Sequence, residues 1–193
     1  MAELTRSFFA RDTALVAREL LGVDLVRRNE DGLLKGKIVE TEAYYGEGDP
    51  PSHASSGRTG RSKIMWDKPG LAYVYLIYGI HIMLNVVTEP EGTPGAVLIR
   101  AVEPLEGLSE MEENRGGVDK DELTDGPGKL TRAFRIGMDM NDEDLLNSGK
   151  LWLSRGNDIE ENQIDTSGRI GVSQGKEEQL RFFLTGNRFV SCR

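Results

Sequence analysis

The chain has 193 residues, a formal net charge of −8 at pH 7 and a single cysteine, Cys192. This length suits one domain with a sizeable core, one cysteine excludes an internal disulfide framework, and the acidic balance argues against binding nucleic acid by bulk positive charge. With two histidines and no cysteine cluster, we expect no metal and no cofactor. No apolar run approaches the ~20 residues that span a bilayer. The first residues lack a secretion signal, so we expect a cytoplasmic protein without a membrane partner.

The charge is unevenly distributed along the chain. Between Glu103 and Asp125 there are nine acidic residues and two basic ones, whereas Arg58 to Lys68 holds four basic residues and one acid. A polyanion could therefore contact the basic segment while the acidic lobe points away. The alternative is that both runs are solvated surface, which we favour for the acidic run.

The first elements predicted are a helix and a pair of strands. Asp12 is a suitable N-cap for a helix that Gly22 ends. A strand is predicted over 23–28, and the turn signal Asn-Glu-Asp-Gly separates it from a second strand at about 33–44, which ends in Glu-Thr-Glu-Ala-Tyr. Strands joined by a hairpin favour an antiparallel or mixed sheet.

A long connection and a tyrosine-rich hairpin come next. Residues 46–69 are rich in Gly, Ser and Pro, and loops of this length are usually functional. The alternating pattern that begins at Tyr73 predicts a strand, a turn at Tyr78 and a return strand over 80–88. A period of two puts Tyr73 and Tyr75 on the same face.

The second half of the chain is more polar. A strand over 96–102 is predicted to be buried on both faces apart from Arg100, and helices are predicted over 105–113 and 129–136. Further short strands are predicted at 151–153, 170–172 and 180–184. The fold class is therefore α+β: a single domain over 1–193 with a mixed, mostly antiparallel curved β-sheet core and peripheral helices.

All five tyrosines and both histidines lie between Tyr44 and His81. Rings gathered beside carboxylates predict a pocket for a flat or cationic group, although tyrosine also favours strands and a central sheet is the alternative. Glu40 and Glu42, two apart on a strand, share a face with Tyr44. Mutual repulsion raises the pKa of such a pair, so that one member could serve as a general base. Acid pairs are common on exposed strands, so the pair alone is a weak signal.

Motifs of several other chemistries are missing from the sequence. No Gly-x-Ser-x-Gly elbow accompanies the serines beside His53, which excludes a hydrolase of that type. The glycines and arginines of 57–61 do not match a phosphate-binding loop, and no dinucleotide fingerprint is present. His53 lies in a Gly/Ser/Pro-rich segment, where a histidine rarely fills a core.

Several spaced motifs together resemble the alkyladenine (3-methyladenine) DNA glycosylase family in its short bacterial form. They follow one another in the family's order over nearly the whole chain: Val-Glu-Thr-Glu-Ala-Tyr at 39–44, Ser-His-Ala at 52–54, Pro-Gly at 69–70, Tyr-Val-Tyr-Leu-Ile-Tyr-Gly at 73–79, Asn85, Leu-Ile-Arg-Ala-Val-Glu-Pro at 98–104 and Gly-Pro-Gly-Lys-Leu-Thr at 126–131. The resemblance implies a fold similar to the C-terminal domain of methionyl-tRNA formyltransferase.

The resemblance also implies a function in base excision repair. A monofunctional glycosylase of this family flips alkylated or deaminated purines (3-methyladenine, 7-methylguanine, hypoxanthine or ethenoadenine) out of duplex DNA and hydrolyses the N-glycosidic bond, leaving an abasic site. The implied partner is duplex DNA with damaged purines, bound by a monomer in the nucleoid-associated cytoplasm.

The resemblance assigns roles to individual residues. Glu42 is implied as the general base that activates one water, and Arg100 as the group that holds this water or an adjacent phosphate. Tyr44 would stack on one face of the flipped base, with His53 and Tyr75 on the other. Stacked rings also attract a cationic methylated base.

The remaining implied roles concern selection and DNA contact. Asn85 would exclude the exocyclic amino group of guanine. Tyr78 would fill the hole left in the duplex and offset the cost of unstacking. The DNA backbone would be contacted by Arg58, Arg61 and Lys63. Four residues depart from the family's usual pattern around the pocket: Tyr45, Ser62, Trp66 and His81.

Two other functions are compatible with these residues. A non-catalytic nucleic-acid-binding module on the same scaffold would not need a carboxylate at Glu42. A hydrolase of free nucleosides would use the carboxylate and the stacking rings, but not Tyr78 or the basic loop.

Overall fold

The computed structural model describes residues 4–191, so Cys192 and the first three residues lie outside the described part. Four α-helices are present: α1 (Arg6–Phe9), α2 (Thr13–Glu19), α3 (Leu108–Arg115) and α4 (Pro127–Ala133). Eight strands are present: β1 (Asp24–Arg28), β2 (Leu33–Tyr44), β3 (Ala72–Ile77), β4 (His81–Val87), β5 (Ala96–Glu106), β6 (Leu151–Ser154), β7 (Ile164–Ser167) and β8 (Arg181–Leu184). This is the predicted α+β class.

The strands form one curled sheet in the order β3-β4-β5-β2-β1-β6, with β8 paired to β2 and β7 to β8. Every described pair runs antiparallel, which confirms the expected mostly antiparallel sheet, and the described strands include no parallel pair. Short loops and hairpins join most neighbours, and such connections produce antiparallel pairs.

Strand β2 is the centre of the sheet because it pairs with three other strands. β5 lies along one edge, while the other edge is shared between β1 at Leu33–Lys37 and β8 at Glu40–Glu42. The register of β2 against β5 shifts on both sides of Glu40. Such irregularities bend a strand and re-aim its side chains, and here they occur where β2 begins to supply the carboxylates.

The core lies between the sheet and the helices α2, α3 and α4. Val16 and Ala17 of α2 and Leu20 at its C-cap are fully buried, and the Thr41 hydroxyl donates a hydrogen bond of 2.7 Å to the carbonyl of Ala17. The predicted N-cap is confirmed, since the Asp12 carboxylate accepts from the amide of Leu15 at 3.0 Å. The helix is thereby fixed across the back of β2.

The long connection is anchored by its own small core. Residues 63–66 form a 3₁₀ turn, and Ile64 and Met65 pack with Ala54 and Tyr73 in a cluster separate from the main core. The Ser62 hydroxyl is buried and donates to the carbonyl of Gly57 at 3.0 Å. These contacts hold the loop, and with it His53, against the sheet.

Two expectations for the second half were wrong in detail. β5 continues to Glu106, and the predicted helix begins only after Gly107, whose φ of +79° suits glycine alone and whose Cβ would lie 2.4 Å from Leu34. Residues 170–172 form a turn instead of a strand, while the polar segment Ile164–Ser167 is the strand β7. Its composition gave no strand signal, and only pairing with β8 reveals it.

Candidate active site

A cavity of about 290 Å³ opens where β2, β3, β4 and β5 meet the long connection and the turn at 170–172. Its walls contain six residues to which the resemblance gave a role: Tyr44, His53, Tyr75, Tyr78, Asn85 and Arg100. The volume is near the lower end of the range typical of small-molecule sites, and the cavity is mostly apolar with a few polar groups.

Glu42 is fully buried directly behind the cavity wall, in contact with three residues that line the cavity. One carboxylate oxygen, Oε2, accepts from the hydroxyl of Tyr44 at 2.8 Å and lies 3.1 Å from Nη1 of Arg100. The other, Oε1, accepts from the backbone amide of Ile170 at 2.6 Å. Three donors from three separate segments therefore fix the orientation of this carboxylate.

Arg100 connects Glu42 with the second carboxylate of β2. Its Nε donates to Glu40 at 2.7 Å, and its Nη2 donates to the Ser191 hydroxyl at 3.2 Å. The expectation that Arg100 is the exception to a strand buried on both faces was wrong, because only 6% of its surface is exposed. Pairing with two carboxylates is what allows an arginine to be buried at this depth.

Glu40 is fully buried behind Arg100 and accepts several strong hydrogen bonds. Arg181 donates to Oε1 at 2.7 Å, and Ser191 donates through its hydroxyl at 2.8 Å and through its amide at 2.6 Å. Burial raises the pKa of Glu40, but the charge of Arg100 and the hydrogen bond from Arg181 outweigh it, so that the pKa is lowered. The raised pKa that mutual repulsion predicted is therefore not found at Glu40. We call Glu40, Glu42, Arg100 and Arg181 the carboxylate–arginine cluster.

Three rings that line the cavity form one aromatic wall: His53, Tyr73 and Tyr75. The rings of His53 and Tyr75 meet edge to face at 4.6 Å between centroids, and those of Tyr73 and Tyr75 lie 5.1 Å apart, on the same face as predicted. The Nδ1 atom of His53 is 2.7 Å from the Tyr73 hydroxyl. Burial and the charge of Arg61 lower the pKa of His53, which favours a neutral ring at neutral pH. Burial and the nearby Glu42 raise the pKa of Tyr75 to about 12.

Asn85 lies on β4, directly opposite Tyr73 in the strand register. It is 3% exposed, and its side-chain amide donates to the carbonyl of Tyr73 at 3.0 Å. This hydrogen bond fixes the plane of the amide where it lines the cavity.

The tip of the β3–β4 hairpin projects away from the domain. Tyr78 and Gly79 both have positive φ values, 53° and 72°, as in the tight turns that suit twisted strands. The side chain of Tyr78 is 82% exposed and that of Ile80 is 74% exposed. Two large, mostly apolar side chains that are exposed to solvent at a strained turn indicate a contact site for a partner.

The basic segment beside the cavity is only partly free. Arg58 forms an ion pair with Asp67 at 3.0 Å, whereas Arg61 and Lys63 are exposed. Among the residues that depart from the family pattern, Tyr45 is turned towards α2: its hydroxyl donates to Asp12 at 3.0 Å and accepts from the amide of Ala14 at 3.1 Å. Tyr45 is therefore part of the scaffold, while His81 lines the cavity.

Sequence reasoning assigned no role to several residues around this cavity. Arg181 and Ser191 complete the carboxylate–arginine cluster from the C-terminal part of the chain, and Arg169 stacks on Tyr44 with its guanidinium 4.8 Å from the ring centroid. The backbone of Ile170 is a donor to Glu42. Only the glycines that bracket Arg169 and Ile170 could have indicated a tight, special turn.

Two further findings bear on the kind of protein this is. Within residues 4–191, no three His, Cys, Asp or Glu side chains come together as metal ligands. None of the helices in that part of the chain has both the length and the apolar character that crossing a membrane requires.

A buried carboxylate beside an arginine, directly behind a cavity walled by aromatic rings, is an arrangement that suits a hydrolase with an acid–base group. Comparison with known proteins gives the particular family. A family model described as methylpurine-DNA glycosylase (MPG) matches residues 7–188. The chain belongs to the methylpurine-DNA glycosylase family and is thus a DNA glycosylase, an enzyme whose substrate is DNA.

Individual relatives agree with the family match. A protein of Salinibacter ruber is 48% identical over 202 residues, which cover 99% of this chain and 97% of the relative. Proteins of Chlorobium phaeobacteroides and Carboxydothermus hydrogenoformans are 47% and 45% identical, over 99% and 97% of this chain and 97% and 98% of their own lengths. Each carries the name "Putative 3-methyladenine DNA glycosylase".

Proposed function

We propose that this chain is a monofunctional glycosylase of base excision repair. It flips alkylated or deaminated purines, such as 3-methyladenine, 7-methylguanine, hypoxanthine and ethenoadenine, out of duplex DNA and hydrolyses the N-glycosidic bond with a water activated by Glu42. The observation that carries this proposal is the carboxylate of Glu42, which three donors fix directly behind the wall of an aromatic cavity. The names of the relatives point to the same substrate class.

In this proposal the flipped base lies between Tyr44 and the aromatic wall. Tyr44 stacks on one face of the base, and His53 and Tyr75 stack on the other, which compensates for the stacking that the base loses in the duplex. A base that carries a positive charge gains an additional cation–π attraction to these rings. The backbone amide of His53 donates to the acceptor edge of hypoxanthine or ethenoadenine.

The chemical step follows from the position of Glu42. Its carboxylate accepts a proton from a water whose oxygen bonds to C1′ of the sugar, while the C1′–N bond breaks and its electrons leave with the base. The transition state resembles an oxocarbenium ion, which a nearby carboxylate also stabilises. Arg100 is buried and paired with Glu40 and Glu42, which favours a role in holding the water and the base catalyst over a contact with a DNA phosphate.

Base selection is proposed to depend on Asn85. Its amide is buried and fixed by the carbonyl of Tyr73, so it cannot move aside for the exocyclic amino group of guanine. Rejection by an unpaired or crowded polar group is a strong form of discrimination.

DNA contact is proposed for the hairpin tip and the basic segment. Tyr78 occupies the space that the flipped nucleotide leaves, and its 82% exposure supports this role. Arg61 and Lys63 contact the phosphate backbone, as does Arg58 when its pair with Asp67 opens. Binding therefore depends on a local basic face in spite of the net charge of −8.

The proposal is tested by base release from duplexes that carry one hypoxanthine, ethenoadenine or 7-methylguanine. The parent protein should give strand breaks only after alkali, because a monofunctional glycosylase leaves an intact abasic site. Glu42→Gln should lose at least ~10²-fold in excision rate, as is typical of a lost general base. Glu106→Gln, at an exposed position at the end of β5, is the matched control and should keep the parent rate. Full activity in Glu42→Gln would exclude the assigned base.

A further inference from the structure

Arg169 is a buried arginine to which none of the roles above has been assigned. Its side chain is 0% exposed, and its guanidinium carbon lies 4.8 Å from the centroid of the Tyr44 ring. Tyr44 lines the cavity, whereas Arg169 does not. The guanidinium therefore occupies the ring face that points away from the cavity, and Tyr44 separates it from whatever the cavity binds.

The arginine is held rigidly by a carboxylate pair. Asp49 accepts two hydrogen bonds from it, at 2.7 and 2.8 Å, and is itself buried. The carbonyl of Ala43 accepts a further bond at 3.0 Å, and the half-exposed Glu178 lies 3.3 Å away. Asp49 also accepts from the amide of Tyr45 at 2.8 Å, next to Tyr44 in the chain. The charge thus has a fixed position relative to the ring.

Packing alone does not explain an arginine at this position. Its Nε is buried and has no acceptor among the described residues, a state that costs free energy. A buried ion pair can often be replaced by apolar residues of similar volume without loss of stability. A charge kept under these conditions suggests that the charge itself has a use.

A cation on one face of an aromatic ring weakens the attraction of the other face for a second cation, because both draw on the same ring electrons. The direct repulsion between the two charges adds to this effect in a poorly solvated site. The carboxylate of Asp49 acts in the opposite direction. A neutral base stacked on Tyr44 experiences little of either effect.

We propose that the Arg169–Asp49 pair sets the charge selectivity of the base pocket by acting through the ring of Tyr44. Arg169 lowers the preference for cationic methylated purines, so that neutral lesions such as hypoxanthine can compete, and Asp49 limits the size of that effect. Arg169 is a positioning and specificity residue, since it does not touch the base. This inference rests on the proposed function and concerns the same cavity.

The test compares excision of 7-methylguanine, which is cationic, with excision of hypoxanthine, which is neutral, under single-turnover conditions. Arg169→Met removes the positive charge and should raise the ratio of the two rates. Asp49→Asn leaves the positive charge uncompensated and should lower the ratio. We expect shifts of about threefold to tenfold in opposite directions, the scale of a cation–π interaction. Arg169→Lys keeps the charge and should stay nearest to the parent ratio.

Controls separate this inference from a structural role and from the proposed function. Arg11→Met removes a guanidinium that lies 4.6 Å over Phe8, outside the cavity, and should leave the ratio unchanged. If Arg169→Met and Asp49→Asn lower both rates in the same proportion, the pair serves packing only and the inference is wrong. If Arg169→Met does not fold, Asp49→Asn and Arg169→Lys still decide the question. A parent protein that excises neither lesion overturns the proposed function instead.

Discussion

The carboxylate–arginine cluster behind the cavity and the tip of the β3–β4 hairpin differ completely in burial and constraint. In the cluster, Glu42 is 0% exposed and faces three donors. At the tip, Tyr78 is 82% exposed at a backbone conformation that is unfavourable for tyrosine. A proton acceptor needs fixed geometry in a poorly solvated site, whereas a group that enters a duplex has to stand clear of its own domain. Under the proposed function, the contrast teaches that chemistry and DNA entry depend on separately constrained parts of one sheet.

The largest effect on stability is expected in the carboxylate–arginine cluster. Glu40→Gln removes the charge that compensates Arg100 and Arg181, and breaking a buried pair in this way typically costs about 3–5 kcal/mol. Denaturant unfolding of the variant measures this loss. Glu103→Gln is the matched control, because its pair with Lys37 is partly exposed, and it should cost less than ~1 kcal/mol. Equal losses in the two variants would show that the cluster is not specially constrained.

The difference between parent and Glu40→Gln should also depend on pH. The folded-state pKa of Glu40 is below its ordinary value of 4.5, so its contribution is complete above that value and is lost as pH falls through the folded pKa. The gap in unfolding free energy between the two proteins should therefore be constant near neutral pH and narrow below about pH 4.5. A gap that widens on acidification would contradict the lowered pKa.

At the hairpin tip we expect a substitution to weaken DNA binding and to leave the stability of the fold nearly unchanged. Tyr78→Ala should weaken binding to a lesion duplex by roughly 1–3 kcal/mol, the value of one stacking contact, while stability changes by less than ~0.5 kcal/mol. Leu105→Ala, at another exposed apolar position, should alter neither. Fluorescence anisotropy with a labelled duplex measures the binding. If Tyr78→Ala binds the duplex as tightly as the parent protein does, Tyr78 does not fill the space left by the flipped nucleotide.

The smallest effect is expected in the basic segment. Lys63→Ala should weaken binding at all sequences alike and reduce the slope of log K against log salt by about 1. Lys150→Ala is the control, because Lys150 is an exposed residue just before β6. This variant should leave the slope unchanged. If both variants change the slope equally, the basic segment has no special part in contacting DNA.

The sequence predicted well what depends on short-range pattern. The β2 strand, its bounds and the Tyr78 turn follow from alternation and turn residues, and the helix after Asp12 follows from its cap. The gathering of Tyr44, His53 and Tyr75 in one cavity was expected from the family resemblance. The roles of these residues remain proposals.

What the sequence did not predict depends on contacts between distant parts of the chain. Arg181 and Ser191 reach Glu40 across about 140 to 150 residues of sequence, and no local pattern shows that they contact this carboxylate. Residues 170–172 were predicted to form a strand because Ile-Gly-Val is apolar. The amide of Ile170 instead donates a hydrogen bond to Glu42, a partner that only the fold identifies.

The central claim is that Glu42 performs chemistry while Tyr78 serves DNA entry. The most direct test measures, on one hypoxanthine duplex, both the dissociation constant and the excision rate at saturating enzyme for Glu42→Gln and Tyr78→Ala. We predict that Glu42→Gln binds like the parent but excises at least ~10²-fold more slowly, and that Tyr78→Ala binds weakly but excises near the parent rate once saturated. Excision at the parent rate by Glu42→Gln would contradict the account.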